Sequence, residues 1–333
     1  MTIEIKTTSI EPLRHTFDNV ARRLGSDKPA SRYLEAMFDL QPDVNFHYRP
    51  TWDPEHELYD TARTAIRMQD WYAFRDPRQF YYGTWTIARS RQQEVAERNY
   101  AFVEKRGLLG LVDPDTRRKA AEIYVPLRHL EYAANLNNTY MTAYGYGTAT
   151  TQATMFAALD RLGVAQYLSR IGLMLDGNTS ESLEAGKQAW VEAEMWQPLR
   201  RMAEDLLVTR DWFELFVAQN FALDGLLYPL VYGRIDTQLQ KSAGSTLSML
   251  SEFMSEWFAE TGRWVDATLK TAAGESDDNR RQLEAWARAW ADRAQSALLP
   301  LAVHVFGEGA DAVMAELRAE LDERGRKKAG LDL

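Results

Sequence analysis

Forty-eight carboxylates, five histidines and no cysteine make up most of the reactive inventory of this 333-residue chain. Without cysteine it has no disulfide, thiolate zinc site, iron–sulfur cluster or cysteine nucleophile. Carboxylates and histidines hold metal in helical bundles when they project inward from facing helices. The two-metal pattern is a Glu from each of two helices plus Glu-x-x-His from each of two others, and the i, i+3 spacing sets both ligands on one face. Three residues before His15, His47, His129 and His304 stand Pro12, Val44, Pro126 and Leu301, none of them acidic. Only His56 follows a carboxylate, Asp53, and Pro54 lies between them. A solvated or capping loop histidine is expected at 56, and no histidine-based two-metal site is expected in the chain.

His129 sits mid-helix in Val125-Pro126-Leu127-Arg128-His129-Leu130-Glu131, ahead of Asn135, Asn137 and Asn138. It reads as a buried histidine bonded to its neighbours, or else as the remnant of a ligand helix. Asp224 lies in the most apolar segment, where a carboxylate is costly unless paired or protonated. An ion pair with an arginine of a neighbouring helix is the expectation there, with catalysis the alternative. Glu94, Glu97, Glu192 and Glu194 are conceivable paired carboxylates, although charges on amphipathic helices mark the solvent face. No GxGxxG, GxxxxGK[ST] or GxSxG occurs, so nucleotide cradles and a nucleophile elbow have no support.

The elements that would position these residues are long helices. Six of the eleven prolines (Pro12, Pro29, Pro42, Pro50, Pro54 and Pro77) fall within the first 77 residues. Proline fixes φ, lacks an N–H and biases its predecessor toward extended backbone, so residues 1–75 are predicted to form an extended arm with short helices. The arm is rich in aromatics, which must lie across another surface, its own bundle or a partner's. Asp76-Pro77 and Asp113-Pro114 read as N-caps followed by proline at the first helical position. With breaks at the glycines and polar turns, the predicted helices are 77–106, 114–144, 149–175, 180–208, 212–242, 245–273, 277–306 and 310–327. Most approach roughly thirty residues, or about 45 Å, so 76–333 is expected to be one all-α unit. The stretch 212–232 is apolar almost all round and should be central, with Pro229 predicting a kink about one turn upstream. In 245–273, Leu247, Leu250, Met254, Trp257, Phe258 and Val265 form one stripe.

The formal charge of −9, from 39 basic and 48 acidic residues, disfavours nucleic acid and anionic membranes as partners. Met1-Thr2-Ile3-Glu4-Ile5-Lys6 does not read as a signal peptide, and Glu214, Asp224 and Pro229 interrupt 212–232 as a membrane span. A cytoplasmic location is therefore expected.

The aromatic tract Phe46-His47-Tyr48-Arg49-Pro50-Thr51-Trp52-Asp53-Pro54, followed by Trp71-Tyr72-Ala73-Phe74-Arg75-Asp76-Pro77-Arg78-Gln79-Phe80-Tyr81-Tyr82, resembles the β subunit of bacterial multicomponent monooxygenases. Within that family it is most similar to the β subunit, or L component, of the phenol hydroxylase oxygenase. The likeness extends over essentially the whole chain. It implies a ferritin-like fold shared by α and β subunits, with the di-iron centre held by α alone. The family's catalytic subunits carry ExRH on their ligand helices. Here the similar stretches are Pro126-Leu127-Arg128-His129 and Gly225-Leu226-Leu227-Tyr228, so the resemblance implies vestigial ligand helices marked by Pro126, His129, Gly225 and Tyr228.

It implies further that this chain has no cofactor of its own and supports α in an (αβγ)2 oxygenase. A reductase with FAD and a 2Fe-2S cluster would draw electrons from NADH, and a small regulatory protein would assist. The complex would hydroxylate phenol and methylphenols to catechols with dioxygen. Phe46, Tyr48, Trp52, Trp71, Tyr72, Phe74, Phe80 and Tyr81 are the aromatics expected at the partner interface. Two other classes stay open on the sequence: an independent ferritin-like metalloenzyme using Glu94, Glu97, Glu192 or Glu194, and a helical adaptor unrelated to oxygenases.

Overall fold

A computed structural model describes residues 12, 14–42 and 49–333. Two short helices, α1 (Asp18–Leu24) and α2 (Arg32–Glu35), precede an irregular strap. Then follow α3 (Tyr82–Lys105), α4 (Pro114–Tyr144), α5 (Thr148–Leu175), α6 (Glu181–Glu192), α7 (Gln197–Leu207), α8 (212–243), α9 (Thr246–Glu275), α10 (Asp277–Phe306) and α11 (Ala310–Arg324). No strand occurs among the described residues.

The bundle starts later than Asp76-Pro77 suggested. The Asp76 carboxylate is held by the Arg78 guanidinium at 2.9 Å, both side chains buried, and it also accepts from the Arg78 amide. It is not free to cap a helix, and Gln79 turns through a positive φ of 53° before α3 begins. Asp113 does cap α4, accepting from Thr116 N at 2.9 Å with Pro114 at the first position. The helix expected over 180–208 is two helices. Ala193 is extended, and Pro198, which has no N–H to give, sits in the first turn of α7.

α4 and α5 fold back on one another along most of their length, joined across Gly145–Gly147. Gly147 is required there. Its φ is +82°, and a Cβ would lie 3.2 Å from Cβ of Trp71, where the strap crosses. α6 packs onto α4 equally closely, since a Cβ on Gly186 would meet Val125 Cγ1 at 2.5 Å.

α8 is the axis of the molecule. Phe213, Phe216, Val217, Phe221, Leu223, Leu226, Leu227, Leu230 and Val231 are all buried, and α4, α9, α10 and α11 surround them. It is not a uniform helix. Two wide π-helical turns, Val217–Leu223 and Leu230–Ile235, flank the α-helical Asp224–Pro229. Pro229, which has no N–H for the carbonyl one turn back, stands at the end of the α-helical stretch, directly before the second π segment. Of the predicted stripe on α9, Leu247, Leu250, Met254, Trp257 and Val265 are buried, and Phe258 is half-buried against the core.

An 18-residue window of mean hydropathy 1.3 lies within 277–329 and could span a bilayer by length and composition. The helix is broken at Gly307–Gly309, and Leu298, Leu301 and Ala302 face the core. About a third of that window, 33%, is buried inside the chain.

Candidate functional site

The interior of the bundle holds a sealed polar cluster built from three helices. On α5 the buried positions step by three or four, Thr150, Ala153, Thr154, Ala157, Arg161, Val164, Leu168 and Ile171, so Arg161 stands in the middle of an otherwise uncharged stripe. Across from it, α4 presents Glu131 and α8 presents Asp224, both buried. Arg161 Nη1 donates to Glu131 Oε2 at 2.9 Å and to the Tyr228 hydroxyl at 3.1 Å, while Nη2 donates to Asp224 Oδ2. The Tyr228 hydroxyl donates onward to Glu131 Oε1 at 2.9 Å. Gln219 Nε2 donates to Asp224 Oδ1 at 3.0 Å, and Asn137 Nδ2 donates to Gln219 Oε1 at 2.9 Å. The Trp257 ring lies over the guanidinium, 4.5 Å from its carbon. One cation is thus gripped by two carboxylates through adjacent nitrogens of a planar fork, the arrangement that suits arginine and not lysine.

The electrostatics follow from that geometry. Burial opposes the charge on Arg161, but Asp224 and then Glu131 hold its pKa well above the ordinary value. Burial pushes the Asp224 carboxyl up to about 6, with Arg161 pulling the other way and the charge of Glu131 adding to the push. Burial, helped by Glu131, raises the Tyr228 phenol far above its usual range, so it stays a neutral donor.

A second cluster begins one residue earlier. Asp160 accepts from Trp85 Nε1 (2.9 Å), from Trp257 Nε1 (3.0 Å) and from Arg89 through Nε and Nη2 (2.7 Å each). Arg89 also donates to Glu260 at 2.9 Å, and Glu260 lies 3.6 Å from Arg78. This chain of charges runs from the core to the start of the bundle.

The positions carried over from the ExRH pattern do not converge. His129 faces α6: its ring stacks on Trp190 with centroids 6.1 Å apart, and Arg128 donates to the carbonyl of Leu183. Burial, then Arg128 and Lys187, lower its pKa to about 4. Pro126 lies against Gly186 of α6, and Gly225 faces Leu321 and Arg324. Only Tyr228 reaches the cluster. The carboxylates that do meet are Glu131 and Asp224, and three residues beyond them stand Ala134 and Leu227, both buried and apolar.

The expected ion pair of Asp224 is present, and Arg161 is its partner. Sequence reasoning singled out neither Arg161 nor Glu131, although each occupies a buried stripe where a charge is anomalous. His56 pairs with Asp53 at 3.0 Å in the strap, and Asp53 also binds Arg63.

The four glutamates proposed as paired ligands are not brought together. Glu97 bonds Arg170 at 2.6 Å on the surface, and Glu94, Glu192 and Glu194 are exposed. Among the described residues no three of His, Asp and Glu gather so as to hold a metal ion. A two-iron centre does not fit the interior cluster. Its space is filled by a guanidinium, it offers two carboxylates and no imidazole, and every carboxylate oxygen accepts a hydrogen bond.

The aromatic candidates for a partner interface need correction. Trp71, Tyr72, Phe74 and Phe80 are buried within this chain. Trp71 packs on Trp212 (5.7 Å) and Phe74 on Phe213 (6.2 Å), because the strap had the bundle's own apolar groove to fill. The strap is pinned there by Ala65 N donating to Asp211 (2.6 Å) and by Arg67 exchanging two hydrogen bonds with Asn279 (3.0 and 2.8 Å). Tyr81 is half-buried. Trp52 is 70% exposed, its indole N–H donating to the Tyr144 hydroxyl at 3.0 Å. Phe46 and Tyr48 lie outside the described residues.

Long helices wrapped about an irregular, π-turned axis, with carboxylates meeting in the interior, define the ferritin-like hydroxylase class. The comparisons narrow this. The model of the methane/phenol/alkene hydroxylase family matches residues 52–276, and the chain belongs to that family. It is similar to the oxygenase component DmpL of phenol 2-monooxygenase from Pseudomonas sp. (strain CF600), 50% identical over 98% of this chain and 99% of that protein. It is also similar to the β subunit of the hydroxylase component of toluene-4-monooxygenase from Ectopseudomonas mendocina, 23% identical over 86% and 85% of the two chains. Among solved structures, a chain of the xenon-pressurized phenol hydroxylase from Pseudomonas sp. OX1 superposes with a TM-score of 0.89 at 48% identity, over 97% of this chain and 98% of that one.

Proposed function

We propose that this chain is the non-catalytic β subunit of a multicomponent phenol hydroxylase, supporting an α subunit that hydroxylates phenol and methylphenols to catechols with dioxygen and NADH. Near-complete matches to a phenol 2-monooxygenase oxygenase component and to a phenol hydroxylase structure support the family role. The observation that carries the non-catalytic part is Arg161 lodged between Glu131 and Asp224, the two carboxylates that meet in the interior.

On this reading the di-iron centre belongs to α, and FAD and 2Fe-2S belong to the reductase. The partners are α and γ in an (αβγ)2 assembly in the cytoplasm, with the reductase and regulatory protein docking on it. Among the described aromatics expected at the interface, Trp52 is the exposed one, and it is placed to meet a partner. The test is reconstitution. Catechol formation should require this chain together with α, γ, the reductase, the regulatory protein and NADH. Turnover of phenol by this chain with the reductase and regulatory protein but no α would overturn the reading.

A further inference from the structure

We propose that Glu131, Asp224 and Tyr228 form a cation site whose occupant is the chain's own Arg161 guanidinium, so that removing the guanidinium opens a site for a divalent, oxygen-preferring cation. The inference rests on the reading of this chain as the subunit without iron, and goes beyond it by assigning the positive charge that joins three buried helices to one side chain.

The geometry has three parts. First, the two carboxylates come from different helices, α4 and α8, and Arg161 of a third, α5, bonds both. A cation between them therefore joins three helices at the centre of the bundle, as an interior metal would. Second, the site is built for positive charge and for nothing else. Both carboxylates and the guanidinium are fully buried, Trp257 and Tyr228 offer ring faces to the cation, and Gln219 and Tyr228 spend their donors on the outer carboxylate oxygens. These donors orient the carboxylates without neutralising them. Third, the guanidinium is not completely matched to its surroundings. Its buried Nε finds no acceptor, whereas an arginine in a dedicated ion-pair network ordinarily uses all its donors. The grip is on the two terminal nitrogens, where charge and not hydrogen-bond count is being satisfied.

The donor set, two carboxylates and a phenol oxygen, is all oxygen. That suits Mn2+ or Mg2+ and disfavours zinc, which prefers sulfur and imidazole. With Arg161 in place, like charge and occupied volume exclude any such ion.

The experiment compares the full chain with Arg161→Ala and with Arg161→Ala carrying Glu131→Gln and Asp224→Asn as well. Thermal midpoints are read in EDTA and in millimolar MnCl2, and bound Mn2+ is counted after desalting. The expected result is that Mn2+ leaves the unaltered chain unmoved, raises the midpoint of Arg161→Ala by about 3 °C or more, and binds it at about one ion per chain. The triple variant should fold without Mn2+ and show no shift, because its carboxylates are gone. If Arg161→Ala does not fold in either buffer, Arg161→Gln, which keeps most of the bulk and loses the charge, carries the same comparison. No Mn2+ shift in the folded single variant, or an equal shift in the triple variant, would overturn the proposal. Neither result would touch the reconstitution test, which reads turnover and not metal binding by this chain.

Discussion

Asp160 and Arg161 are neighbours on α5, yet each anchors a buried cluster of opposite design. Around Arg161 a cation is clamped by two anions in a space sealed on all sides. Around Asp160 an anion is clamped by two indoles and an arginine, and that arginine also holds Glu260; Arg89 and Glu260 keep 12% and 16% side-chain exposure. Trp257 serves both, its ring over Arg161 and its N–H on Asp160. The difference teaches that burial of charge is not one phenomenon. The first cluster leaves two carboxylates uncompensated in low dielectric if its arginine goes, while the second can rehydrate through its partly exposed members.

The comparison can be broken most forcefully at Arg161. Arg161→Met should destabilise the chain by about 3–5 kcal/mol in urea unfolding, because two buried carboxylates lose their counter-ion. Adding Glu131→Gln and Asp224→Asn should recover much of that loss, and no recovery would mean that packing and not charge is what Arg161 supplies.

Asp160→Asn sharpens the contrast. It keeps the shape and an acceptor for one indole, and Arg89 retains Glu260, so a loss of about 1–3 kcal/mol is expected. A cost equal to that at Arg161 would erase the distinction between the sealed and the open cluster.

The smallest effect concerns the seam between α4 and α6. The folded chain holds His129 neutral down to about pH 4, while the unfolded chain takes up a proton near 6.5. The contribution of this residue is therefore complete above pH 6.5 and is lost as pH falls toward 4. His129→Phe should flatten the fall of the thermal midpoint over that window and leave the midpoint near pH 8 little changed. An unaltered pH profile would contradict the burial assigned to the ring.

Much of this architecture could be read from residues. Asp113-Pro114 announced α4, and the all-apolar run with Asp224 announced a central helix whose acid needs a basic partner. The failures have physical causes. Asp76 was an ordinary N-cap signal diverted by Arg78 two residues on, a competition invisible without the fold. Pro198 was overlooked as a helix start, so α6 and α7 were merged. The π turns around Asp224 leave no periodic trace, since a wider turn changes the register by a single residue. Glu131 and Arg161 were legible in principle as charges at core positions of their own stripes. His129, two residues from Glu131, is turned by the 100° step of a helix toward α6 and not the interior. The strap aromatics were correctly read as needing a surface, and for Trp71, Tyr72, Phe74 and Phe80 that surface is the chain's own bundle.

The central claim is that the chain's own arginine fills the space between the two carboxylates that meet in the interior, leaving no room for iron between them. Iron analysis of the full chain, expressed with abundant iron and purified without α, tests it most directly. The account predicts iron far below one atom per chain. Close to two irons per chain, lost when Glu131→Gln and Asp224→Asn are introduced, would contradict it.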